Sequence, residues 1–240
     1  MKRIKIVLEN LPESDDLIFI TGFHGIGYVG FLATRYLVTT LKAKKIGYVE
    51  TSIEPLFTSS TQSGGVYVPF EIYCFENMVF FCANYGFTSR VELRVLDYIA
   101  KWVSSMPFTC AIMFGGLDSR LRKSQDVDLR LAATSEFIRR FRDWIRAPLL
   151  EEGLWIVGPL ARLLVRFEEY LFPAVAILPY AEIMRPDPYA ASVGISYLKD
   201  ILKIEVDLSK LLESAEAIER EIEELKKRWE RLQTEKMTYM

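Results

Sequence analysis

The chain has 240 residues, of which half are hydrophobic and 26% are charged, with a formal net charge of -2. That supplies apolar material for one large domain or a domain with an appendage. The near-balanced charge excludes a global pull toward nucleic acid or an anionic membrane surface. Charges break the apolar run in MKRIKIVLENL, so no signal peptide is expected, and the apolar stretch 171–181 is too short to span a bilayer and holds two prolines. The expectation is a soluble, cytoplasmic protein with no membrane or nucleic-acid partner.

In chain order, strand-like runs fall at Arg3–Leu8, Leu17–Thr21, Lys45–Glu50, Val66–Phe75, Met78–Ala83, Thr109–Phe114, Leu154–Val157 and Ala174–Leu178. Helical spacing intervenes at Val29, Leu32, Ala33, Tyr36, Leu37 and Leu41, and again at Val91, Val95, Leu96, Ile99 and Val103 before Pro107. Arg130 to Trp144 reads as a further helix. Asp187-Pro188 reads as a helix start, with Asp as N-cap and Pro at the first helical position, running to about Leu202. Strands alternating with helices predict a three-layer α/β/α sandwich. A hairpin turn at Glu76-Asn77 adds antiparallel pairing, so the sheet should be mixed. If its loop has two residues, Cys74 faces Val79 and Cys82 faces Glu71, with the two thiols on opposite sheet faces. Cys74, Cys82 and Cys110 show no metal-ligand spacing and read as small buried thiols.

The last thirty-odd residues differ in kind. Leu208, Leu211, Ala215, Ile218, Ile222, Leu225, Trp229 and Leu232 repeat at 3-4-3-4-3-4-3, a heptad seam with charged flanks. Asp207 can cap its start, with Val206 and Leu211 as a hydrophobic staple. A lone helix of this length is marginal in water. Burying its larger apolar residues contributes roughly 1.5–3 kcal/mol each, so the seam needs a partner, either its own domain or another subunit. The expected division is an α/β domain at 1–206, a coiled-coil-like helix at 207–234 and a tail at 235–240.

Catalytic constellations are scarce. His24 is the sole histidine, which excludes multi-histidine metal centres, and neither G-x-x-x-x-G-K-[ST] nor G-x-S-x-G occurs. The acidic pairs Glu151-Glu152 and Glu168-Glu169 read as solvated, and the arginines from Arg120 to Arg146 read as a salt-bridged surface, since acids are interspersed among them. No catalytic residue, metal or cofactor is therefore assigned. One motif argues the other way: Gly25, Gly27 and Gly30 spell G-x-G-x-x-G after a strand, with Glu50 twenty residues on. Its defect is that Gly22-Phe23-His24 intervenes between the strand and the first glycine, placing Phe and His at the tip of a longer loop. An enzyme or nucleotide-binding protein using loop 22–30 is the alternative reading.

The segment Gly22-Phe23-His24-Gly25-Ile26-Gly27-Tyr28-Val29-Gly30, with Tyr36-Leu37 behind it, resembles the opening of the proteasome assembly chaperone family, notably its archaeal members. Gly65-Val66-Tyr67-Val68-Pro69, Phe114-Gly115-Gly116, Gly158-Pro159-Leu160-Ala161-Arg162 and Asp187-Pro188-Tyr189-Ala190-Ala191 extend the resemblance, in order, over nearly the whole chain. His24 departs from the proline usual in the family, and the stretch from Asp118 to Asp128 is unusually charged. The resemblance implies a mixed-sheet sandwich of the phosphorylase/hydrolase-like kind without established catalysis. It further implies a homo-oligomeric chaperone or adaptor that docks on proteasome α subunits or other assembly factors. Some archaeal relatives insert a C-terminal hydrophobic–Tyr–any-residue tail between α subunits. Here that tail would be Thr238, Tyr239 and Met240, with Thr238 a poor match to the hydrophobic position. The seam residues Leu211, Ile218, Ile222, Leu225, Trp229 and Leu232 would hold the oligomer. Gly22, Phe23, His24, Gly25, Gly27 and Gly30 would form a structural or ligand loop.

Overall fold

The computed structural model describes residues 4–51, 58, 60, 65–87 and 93–216. Nine strands form one sheet: β1 (Lys5–Leu8), β2 (Leu17–Gly22), β3 (Lys44–Glu50), β4 (Phe70–Phe75), β5 (Met78–Ala83), β6 (Phe108–Phe114), β7 (Leu117–Asp118), β8 (Leu129–Ala133) and β9 (Ala174–Ala181). Their order is β1-β3-β4-β5-β2-β6-β9-β7, with β8 on the other side of β9. β5, β2, β6 and β9 are mutually parallel, while β1, β4 and β8 pair antiparallel with their neighbours. The sheet is mixed, as expected. The hairpin register is also the expected one, with Glu71 opposite Cys82 and Cys74 opposite Val79.

Helices cover both faces. On one lie α1 (Val29–Thr40) and α5 (Pro188–Leu202), with the short α3 (Ser135–Arg140) beside them; on the other lie α2 (Arg94–Ser105) and α4 (Gly158–Glu169). The central strands are buried on both sides, which explains why Leu17-Ile18-Phe19-Ile20 is continuously apolar rather than alternating. Alternate residues feed two cores: Phe19, Val79 and Phe81 point to α2 and α4, whereas Ile20, Phe80 and Cys82 point to α1 and α5. Asp187 caps α5 by accepting from the Ala190 N–H at 2.9 Å, and Pro188 occupies the first turn, as expected.

Three expectations fail. The segment Arg130 to Trp144 is not one helix: β8 ends at Ala133, Thr134 caps α3 by accepting from the Phe137 N–H, and a 3-10 turn follows at Arg142–Trp144. Leu129 and Leu131 alternate into the core with period 2, and the Thr134 cap stops any helix from extending backward. Leu154–Val157, expected as a strand, joins no strand among the described residues, although Val157 is extended. The strand expected from Val66 begins only at Phe70, with Val66 in an isolated bridge to Ser60.

Asp207 starts the C-terminal helix as expected, accepting from the Ser209 N–H at 2.9 Å, and residues 209–216 are helical. Val206 and Leu211 are both buried, as the staple requires, in the same cluster as Leu198 and Ile201. Leu211 thus sits in the core of its own chain. Ile218, Ile222, Leu225, Trp229 and Leu232, and the tail residues Thr238, Tyr239 and Met240, lie outside the described residues.

Candidate functional site

The parallel strands β2 and β6 end together, and the turns that follow them, with Leu178 of β9, border a cleft of about 150 Å³. Its walls come from the glycine loop (Phe23, His24, Ile26), the Gly115-Gly116 turn after β6, and the segment before α4, including Trp155. Sites in open α/β folds typically lie at such strand ends.

The loop is built by close backbone approach. A Cβ on Gly22 would lie 2.3 Å from the Gly30 carbonyl oxygen, and one on Gly30 would lie 2.4 Å from the Phe114 carbonyl oxygen. The first turn of α1 therefore rests directly on the ends of β2 and β6. Gly27 and Tyr28 are consecutive left-handed residues, with φ 59 and 52, which swing the chain from the loop into α1. Asp187 locks this swing: its N–H donates to the Gly27 carbonyl at 2.8 Å, while its carboxylate accepts from the Glu182 N–H at 3.0 Å and from Ala190. Gly116 packs against the Ile26 carbonyl in the same way. The two glycine signals of the sequence are one contact.

This geometry opposes the dinucleotide reading. A pyrophosphate needs free N–H groups at the start of the helix. Here the Tyr28 N–H donates to Gly25, Val29 to Ile26 and Phe31 to Phe23. Glu50 is also misplaced, because β4 and β5 separate its strand from β2, whereas the ribose-binding acid belongs on the adjacent strand. The cleft is smaller than the roughly 300–1,000 Å³ of small-molecule sites. Gly25 is the exception in the loop, since a Cβ added there would meet no atom within 4 Å.

Phe23 is not at a free tip. It is buried with its ring edge-on to Phe87 at 5.6 Å and to Phe81 at 6.4 Å. His24 is half-buried, stacked on Phe31 at 4.1 Å and edge-on to Tyr28 at 5.7 Å. Its Nδ1 is buried without a hydrogen-bond partner, and burial lowers its pKa below the ordinary 6.5.

Elsewhere the polar groups brace the fold. Buried Glu71 accepts from Lys45 Nζ at 2.6 Å, Tyr73 Oη at 2.9 Å and Asn84 Nδ2 at 2.8 Å, while Arg35 from α1 donates to Tyr67 Oη at 2.8 Å. Cys82, opposite Glu71, and Cys110 are buried, which pushes both thiols up to about 12 and keeps them protonated. Asp97 of α2 binds Arg162 and Arg166 of α4 at 2.6 and 2.8 Å, and those hydrogen bonds outweigh its burial to hold its carboxyl below the usual range. Of the acidic pairs, Glu152, Glu168 and Glu169 are exposed, as expected, and Glu151 is half-buried; at this surface Glu151 pairs with Lys123 and Arg130, Glu168 accepts from Ser135, and Glu169 pairs with Arg166. The arginine-rich stretch is the salt-bridged surface expected, through Arg120–Asp118, Arg122–Asp128 and Arg139–Glu136. Among the described residues no group of three His, Cys, Asp or Glu side chains is placed to hold a metal ion, and no helix is long and apolar enough to cross a membrane.

The feature the sequence did not disclose is the exposure of Trp155 and Val157 at the cleft mouth, 86% and 78%. Their alternation with Leu154 and Ile156 was legible; that no strand among the described residues lies beside them was not.

Comparisons with known proteins agree with this architecture. An uncharacterized protein of Methanocaldococcus jannaschii is 25% identical over 223 residues, covering 92% of this chain and 90% of that protein. The fold matches Pyrococcus furiosus PbaA, an archaeal homolog of proteasome-assembly chaperone, with a TM-score of 0.79 and 23% identity over 96% of this chain and 100% of that one. It also matches Pyrococcus furiosus PbaB, an archaeal proteasome activator, with a TM-score of 0.80 and 22% identity over 94% and 100%. The PAC2 family model matches residues 19–226, from β2 to beyond the last described helix turn, so the chain belongs to the PAC2 family, as its glycine loop and the motifs behind it imply.

Proposed function

We propose that this chain is a non-enzymatic, oligomeric chaperone or adaptor for proteasome assembly or activation that docks on proteasome α subunits. The observation that carries the reading is the match of fold, over nearly the whole chain, to an assembly-chaperone homolog and to a proteasome activator. The packed glycine loop supports it further, since the one motif that favoured nucleotide chemistry has its helix-start amides engaged within the chain.

In this reading the heptad helix joins subunits. Leu212, Ala215 and Glu216 already lie beside Pro188 and Tyr189, at the first turn of α5. A helix continued from there at about 1.5 Å per residue would carry Ile222, Leu225, Trp229 and Leu232 past the end of α5, where another subunit would cover them. The tail Thr238–Met240 would then dock, its carboxylate pairing with a lysine and Tyr239 burying its ring. Several weak tails on one oligomer raise avidity without any new contact. Deleting Thr238 to Met240 should abolish co-migration with α subunits, and unchanged binding removes the tail from the mechanism. Ile222→Asp with Leu225→Asp should lower the mass seen by light scattering, and an unchanged mass assigns the seam to the chain's own domain. Calorimetry with NAD and ATP tests the rival reading, which micromolar binding would restore.

A further inference from the structure

We propose that residues 154–157 pair antiparallel with the same residues of a second copy of this chain, so that two protomers meet across their cleft mouths. The segment has the character of a strand without a neighbour. Val157 is extended at φ -125 and ψ 164, and side chains alternate: Leu154 and Ile156 turn inward, with Ile156 packed on the core, while Trp155 and Val157 stand out. Among the described residues the N–H groups of Trp155, Ile156 and Val157 make no hydrogen bond, nor do the carbonyls of Trp155 and Ile156. Such an edge is a template for a strand from another chain.

Self-pairing suits this sequence for two reasons. Antiparallel pairing about a two-fold axis at Ile156 sets Trp155 beside the partner's Val157, and Val157 beside the partner's Trp155. Each pair is an aromatic and a β-branched residue, a favourable cross-strand combination, and the interface is self-complementary as two-fold symmetry demands. The second reason is charge. α4 begins directly after the segment, and Val157 gives its N-terminus no side-chain cap. Glu152 is exposed, with no ion pair among the described residues. The same register brings Glu152 of each copy toward the start of α4 of the other, where a carboxylate meets unpaired N–H groups and the positive end of the helix dipole.

A strand this short buries less than the roughly 1,000 Å² of a stable interface, so the pairing is weak alone and adds to contacts elsewhere in an oligomer. Oxidative cross-linking captures weak pairs. Trp155→Cys with Val157→Cys should give a covalent dimer on mild oxidation, several-fold more than wild type or Trp155→Cys alone. No excess over wild type, or equal dimer from the single variant, would overturn the register and the proposal with it. The second measurement is made with Ile222→Asp and Leu225→Asp present, so that the heptad seam cannot contribute. There, Trp155→Asp with Val157→Asp should weaken dimerisation at least tenfold by light scattering, and Glu152→Gln several-fold. Both aspartate positions are exposed, so the monomer should stay folded; Trp155→Ser with Val157→Ser repeats the test if circular dichroism shows otherwise. Unchanged self-association in these variants would show that 154–157 serves a different partner and would end the proposal.

Discussion

Two segments meet at the cleft above the parallel strands, and their backbones are treated in opposite ways. In residues 22–30 most of the available space is filled by the chain itself: glycine against carbonyl, amide against carbonyl, with Asp187 closing the join. In residues 155–157 the N–H groups make no hydrogen bond among the described residues, and the outward side chains of Trp155 and Val157 are apolar and exposed. A helix start whose amides are engaged within the chain, as those of Tyr28, Val29 and Phe31 are, has little left there to offer a ligand. A strand with open amides beside exposed rings has both directional and hydrophobic reasons to find a partner. The difference teaches that glycine content alone does not mark a binding loop. What separates the two is where the N–H groups go.

The largest effects should come from breaking the closed segment. Gly30→Ala drives a Cβ to within 2.4 Å of the Phe114 carbonyl oxygen and 2.6 Å of the Phe23 nitrogen, both backbone atoms that cannot yield cheaply. Overpacking of this severity should cost about 3 kcal/mol or more. For a chain of this size it lowers the melting temperature by roughly 6–12 °C. Gly25→Ala is the internal control. Gly25 is extended at φ -164 with open space around it, so the change should stay within about 0.5 kcal/mol. Calorimetric melting of both variants checks the contrast. Equal destabilisation would mean that the loop is not held by the Gly22–Gly30–Phe114 contact.

The open segment predicts a smaller, alternating pattern. Ile156→Ala removes packing against the core beneath α2 and α4 and should cost about 1–2 kcal/mol, less than a fully buried site because Ile156 is half-buried. Val157→Ala should change stability by less than about 0.5 kcal/mol, since its side chain already faces water in the monomer. Urea unfolding of the monomer separates the two. A large loss at Val157 would show that the outward face is already covered within one chain.

The fold was largely legible because its signals were local and mutually consistent. Alternation and a two-residue turn were enough for the β4–β5 register, and Asp187-Pro188 was enough for the start of α5. The errors lie where tertiary pairing decides. Leu129 and Leu131 followed by a run of helix formers look like one helix, and only the Thr134 cap marks the break between β8 and α3. Leu154-Trp155-Ile156-Val157 has strand alternation, but whether a ladder forms depends on what lies alongside, which no four residues encode. The site divides in the same way. The glycines were found, but their mutual packing requires knowing that β2, β6 and α1 converge, a contact between Gly22, Gly30 and Phe114 that spans most of a hundred residues.

The smallest effect sharpens the comparison most, because it probes the buried side-chain nitrogen of the closed loop that lacks a partner. His24 sits between Phe31 and Tyr28 with Nδ1 buried, and burial lowers its pKa in the folded state. The unfolded chain then takes up a proton near pH 6.5 while the folded chain stays neutral. Below that pH the unfolded state binds more protons, so stability falls as pH drops from about 6.5 toward the lowered folded value and levels off beneath it. Above it the imidazole is neutral in both states and makes no difference. His24→Gln removes this titration. Its stability relative to wild type should be constant above pH 7 and should rise between pH 6.5 and 5, while the carboxylates titrate alike in both proteins. A difference profile that is flat over that range would place the imidazole in water, and the loop would then be open at the very point where its backbone is closed.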